Sequence, residues 1–132
     1  MDGLSVSVIT HPELQDVTLL KVKGFIDTTT APEFEKTFQG VLKDKKFKIV
    51  IDLKEVNYIS SAGWGIFISE IKRIRRNGGD IKLAAMSPEV REVFELLEFN
   101  SILKPFADAT AALRDFDNHD RADARGGGAK GS

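Results

Sequence analysis

The run FKIVIDL at residues 47–53 constrains this chain more than any other feature. Five of its seven positions are apolar, so a strand built from it carries hydrophobic side chains on both faces and needs cover on both. A parallel sheet with crossover helices on its two sides meets that demand, and the flanking segments supply the helices. At residues 17–22, VTLLKV is a second strand-type run ending at Gly24. Thr30-Ala31-Pro32-Glu33 has the form of a capping box with proline in the first turn, and Phe34, Phe38, Val41 and Leu42 follow at helical spacing.

Continuing along the chain, Ser60-Ser61-Ala62-Gly63 opens a helix whose apolar positions are Trp64, Phe67, Ile68, Ile71 and Ile74. Arg75-Arg76 and then Asn77-Gly78-Gly79 close it. Residues 81–84 read as a short strand, and Ser87-Pro88-Glu89 as the start of a helix with Val90, Phe94 and Leu97 as its buried stripe. Residues 101–103 are expected to form a last strand before Pro105, with Asp108 capping a final helix through Leu113. At the other end, residues 6–9 form a first strand, expected to be antiparallel at an edge, and His11-Pro12-Glu13 a turn. The expected fold class is therefore α/β, with a mostly parallel sheet of about five strands and about four helices.

From Asp115 the composition changes towards polar residues and glycine, with Phe116 the one large apolar side chain. The expected organisation is one domain over residues 1–114 and a disordered tail over 115–132. The 132 residues suffice for one core without disulfides, and there is no cysteine. No signal peptide is evident at the N-terminus, and no apolar stretch nears the roughly 18 residues of a membrane span. These features are those expected of a cytoplasmic protein. A net charge of −1 with 30% charged residues argues against direct nucleic-acid binding.

Enzyme chemistry finds little support. The two histidines, His11 beside a turn proline and His119 in the expected tail, are poorly placed as general bases. There is no nucleophile elbow, no phosphate-binding P-loop and no metal-ligand spacing, and Gly63-Trp64-Gly65 has Ile68 where a dinucleotide fingerprint needs glycine. No catalytic residue or metal is therefore expected. The basic cluster Lys72, Arg73, Arg75 and Arg76 reads as a solvated helix end, where cations meet the negative pole of the helix dipole.

The segment at residues 58–65, Tyr58 to Gly65, stands apart. One serine is explained by helix capping, whereas two glycines in the first turns cost roughly 1 kcal/mol each against alanine and imply close approach by the sheet or by a partner. Trp64 fits either the core or an aromatic anchor at a partner surface.

This segment, with Ile51-Asp52-Leu53, Val56 and Ile59 before it, resembles the signature of bacterial anti-sigma factor antagonists, the STAS domain family. A second match, Gly24-Phe25-Ile26-Asp27 followed by Ala31-Pro32-Glu33-Phe34, lies upstream in register. The resemblance implies a STAS-like domain that acts as a protein-binding switch. The phosphoacceptor would be Ser61, with Ser60 as the alternative, because many family members carry aspartate at the position of Ser60. The partner would be an anti-sigma factor with serine kinase activity, bound when the serine is unmodified. A metal-dependent serine phosphatase would reset the switch. Since the kinase brings ATP and magnesium, this chain would need no cofactor. Ser60, Ser61, Ala62, Gly63 and Trp64 would form the partner-facing surface. The parallel topology should bring Asp27, with Thr28 and Thr29, from the end of the second strand to the same surface. The alternative for Asp27 is that it only stabilises a turn or caps the helix that follows. A non-phosphorylated STAS scaffold or accessory subunit is the alternative.

Overall fold

The structure, a computed structural model, describes residues 3–10, 14 and 16–126, with side chains as far as residue 118. The expected turn at residues 11–13 and the terminal residues 127–132 lie outside the described residues. The elements are β1 (Leu4–Thr10), β2 (Val17–Ile26), α1 (Ala31–Lys43), β3 (Lys48–Ile59), α2 (Ser61–Arg76), β4 (Asp80–Ala84), α3 (Pro88–Leu96), a 3-10 turn (Phe99–Ser101), β5 (Lys104–Phe106) and α4 (Ala109–Gly126). The five strands form one sheet in the order β1-β2-β3-β4-β5. The β1–β2 pair is antiparallel and the rest are parallel, as the alternation of segments predicts.

The FKIVIDL run at residues 47–53 is covered on both sides. Ile49, Ile51 and Leu53 belong to the main core with the apolar faces of α1, α2 and α3. Val50, pointing the other way, packs in a second cluster with Val17, Ala84 and the α4 residues Ala112 and Phe116. Phe34, Phe38, Phe67, Trp64, Phe94 and Phe99 make ring contacts that knit α1, α2 and α3 into one layer.

Four expectations need correction. Leu97 is not part of the buried stripe of α3: it is the C-cap residue and 47% exposed, and Val90 and Phe94 are the buried positions. Residues 101–103 are not the last strand: Phe99–Ser101 is a 3-10 turn and β5 is Lys104–Phe106. Pro105 sits within β5, which proline tolerates because β5 is the sheet edge. Thr30 does not build a capping box with Glu33. Its side chain is buried and turned backwards, donating to the Phe25 carbonyl at 2.8 Å. Finally, α4 runs past the boundary expected at residue 114. Phe116 is buried, and Asp115 lies 2.7 Å from Lys82 Nζ, so the helix has packing and charge partners where composition suggested none.

Candidate functional site

The parallel pairing of β2 and β3 places their ends side by side. Ile26 is in register with Ile59, and Ser60 N donates to Ile26 O at 2.7 Å. The chain leaving β2 at Asp27 and the chain entering α2 at Ser60 and Ser61 therefore emerge from the same rim of the sheet.

The two serines differ in local structure. Ser60 is the N-cap of α2, with extended backbone (φ −80°, ψ 173°), and its Oγ accepts from Gly63 N at 3.3 Å. That satisfies one of the donors a helix start leaves free. Ser61 is the first helical residue, exposed, and its hydroxyl makes no hydrogen bond among the described residues. The free N–H groups and dipole of α2 make this end favourable for an anion.

On the β2 side, Asp27 Oδ1 accepts from Thr29 N at 2.8 Å and Thr30 N at 3.0 Å, while Asp27 N donates to Thr30 Oγ1 at 2.9 Å. This reciprocal pair closes the turn that leads into α1, whose own start has no side-chain cap. It holds Thr28 and Thr29, both exposed, in a fixed turn.

The glycines of α2 separate into two roles. A Cβ on Gly63 would lie 2.7 Å from Ile26 Cγ2 and 2.8 Å from Ile59 Cγ2, so the close approach here is to the sheet. Gly65 is exposed, and a Cβ there would meet nothing within 4 Å. Ser61, Ala62, Gly65 and Ser69 make the outward face of the N-terminal half of α2 small and open. Trp64 is 1% exposed and packs against Phe67, Phe94 and Phe99. Its expected place as a partner-facing anchor is therefore corrected: it is core, because α3 and the 3-10 turn bring Phe94 and Phe99 over it. Gly63 is likewise buried and reaches no partner through a side chain.

Tyr58, 53% exposed at the end of β3, is a large aromatic at the same rim, outside the partner surface expected from the sequence. Strand alternation beside buried Ile59 was the signal available for it. The basic cluster is largely structural. Arg73 lies 3.4 Å from Glu70, Arg75 lies 3.1 Å from Asp80, and Arg75 also donates to the Ile102 carbonyl. Among the described residues there is no group of three or more His, Cys, Asp or Glu side chains that could hold a metal ion. No helix there is long and apolar enough to cross a membrane.

The STAS domain model matches residues 8–112, most of the chain. The chain belongs to the STAS domain family. BtrV of Bordetella bronchiseptica is 29% identical over 104 residues, covering 79% of this chain and 89% of that protein. The anti-sigma-B factor antagonist of Staphylococcus epidermidis is 24% identical over 101 residues, covering 76% of this chain and 91% of that protein. Among solved structures, an anti-sigma factor antagonist from Mycobacterium paratuberculosis superimposes with a TM-score of 0.78 at 25% identity, covering 86% of this chain and 94% of the other. This STAS chain thus has anti-sigma factor antagonists as relatives in both sequence and fold.

Proposed function

We propose that this STAS domain is a partner switch. It binds an anti-sigma factor that is also a serine kinase when Ser61 is unmodified, and releases it when Ser61 carries phosphate. The observation that carries the reading is the division of labour at the start of α2: Ser60 caps the helix, leaving the exposed Ser61 hydroxyl free. The named relatives support the class of partner.

Transfer of the γ-phosphoryl group of ATP to Ser61 Oγ releases the hydroxyl proton and ADP, and a metal-dependent serine phosphatase reverses the modification by hydrolysis. Phosphate adds about −1.5 to −2 charges at pH 7. The helix start accommodates that charge, so the fold survives it. A partner surface matched to a neutral hydroxyl must instead desolvate it, at a cost of several kcal/mol. Thr28, Thr29 and Tyr58 flank the serine at the same rim and complete the contact surface, with Gly65 one turn along α2.

The test pairs partner affinity with thermal unfolding on wild type, Ser61→Ala and Ser61→Asp. Ser61→Ala should bind as wild type and resist modification by the kinase. Ser61→Asp should lose at least about tenfold in affinity, roughly 1.4 kcal/mol, at unchanged stability. Equal affinity for Ser61→Asp and wild type refutes the charge switch. Peptide mapping after incubation with kinase and ATP should find phosphate on Ser61. Phosphate only on Ser60 refutes the assignment, and phosphate on neither leaves the scaffold reading.

A further inference from the structure

The two edges of the sheet are unlike. β5 is three residues long and contains Lys104 and Pro105, the devices that stop an edge from pairing. β1, at the opposite edge, is seven residues long, LSVSVIT, with no charge and no proline in a chain that is 30% charged. Val8 and Ile9 are 52% and 38% exposed there. An uncharged, β-branched edge of this length offers its free backbone groups to another strand.

From these features we infer that β1 pairs with β1 of a second copy, antiparallel about a two-fold axis through Ser7, joining two five-stranded sheets into one of ten. The strand is self-complementary in that register. Ser7 faces Ser7, Val6 faces Val8, Ser5 faces Ile9 and Leu4 faces Thr10, each pair on one face of the sheet. The exposed Val8 of each copy is thereby covered by Val6 of the other. Leu4 and Val6 already lie over the main core.

The surrounding charges agree with the same axis. Lys21, in register with Ser7 within the chain, would stand three strand spacings from its counterpart. That is about 14 Å, beyond the Debye length of about 8 Å at physiological salt. α1 packs against β1, with Glu33 in its first turn and Lys43 in its last. The two-fold axis runs the two copies of α1 in opposite directions, so the acidic end of one is on the side of the basic end of the other. A heterologous partner has no comparable reason to match this strand.

Because the chain has no cysteine, single cysteines report the register directly. Ser5, Ser7 and Ile9 are all exposed, so Ser5→Cys, Ser7→Cys and Ile9→Cys should fold as wild type, which thermal unfolding checks. Directly opposed residues lie within the 4.4–6.8 Å Cα separation of a disulfide. Under mild oxidation, Ser7→Cys alone and the mixture of Ser5→Cys with Ile9→Cys should give disulfide dimers, the mixture as the heterodimer. Ser5→Cys alone should give none. Sedimentation of the wild type should show concentration-dependent dimers. A wild type that stays monomeric to about 1 mM refutes the inference. So does Ser5→Cys cross-linking as readily as Ser7→Cys. Neither result depends on Ser61 or its partner.

Discussion

Ser60 and Ser61 have the same side chain and stand in adjacent positions, yet their oxygens do different things. Ser60 is held in extended backbone by its bond to Ile26 O, which aims its Oγ at Gly63 N. Ser61 has already entered the helix, so its side chain points outward. Ser60→Ala should therefore lose about 1 kcal/mol of stability by thermal unfolding. Ser61→Ala should stay within about 0.5 kcal/mol of wild type. Asp27 is a similar case. Its carboxylate caps the turn before α1, so Asp27→Ala should cost about 1 kcal/mol, whereas Asp27→Asn keeps an acceptor and should spare the fold. If Asp27 also faces the partner, Asp27→Asn should weaken binding without lowering the unfolding temperature. Both serines and Asp27 were legible as candidates in the sequence. Which oxygen caps and which stays free was not, because that depends on the backbone angles the parallel β2–β3 rim imposes.

At the scale of the element, α2 shows where local rules suffice. Its start, its basic last turn and the Asn77-Gly78-Gly79 stop all lie where the sequence placed them. Its two glycines look equivalent in sequence and are opposite in structure. Gly63→Ala should destabilise by about 1–3 kcal/mol, because the new methyl would strike the Ile26 and Ile59 side chains. Gly65→Ala should stabilise the isolated protein by up to about 1 kcal/mol, because it meets nothing and removes a helix-weakening residue. Chemical unfolding of the two variants separates these signs. On the proposed contact surface, Gly65→Ala should also lower partner affinity. The ends of short elements were the least legible. β5 and the 3-10 turn before it were displaced from the expected strand because three residues carry no periodicity to read.

For the whole molecule, the second face of the sheet depends on α4. Lys82 is buried on β4, 2.7 Å from Asp115 and 4.4 Å from the Phe116 ring centroid, with Lys104 also near Asp115. Partial burial pushes the Asp115 carboxyl up, but the hydrogen bond and charge of Lys82, together with Lys104, outweigh it and hold the carboxyl below the ordinary carboxylate range. Because the unfolded chain then binds the proton more readily, this contribution is complete above about pH 4 and is lost as pH falls through the lowered value. Asp115→Asn should be less stable than wild type at pH 7, and the two unfolding temperatures should converge in strong acid. Apart from the 3-10 turn before β5, the order of strands and helices, the parallel crossovers, the antiparallel edge and the position of the candidate serines were determined by the sequence alone, since hydrophobic period, caps and turn residues act over a few neighbours. The tertiary structure decided that Trp64 is core, that Ser60 rather than Ser61 caps α2, and that the last helix continues beyond residue 114. Each of those outcomes rests on contacts between residues far apart in the chain: Trp64 with Phe94 and Phe99, Ser60 with Ile26, and Asp115 with Lys82. Periodicity along one segment carries no record of the surface that another segment will present to it.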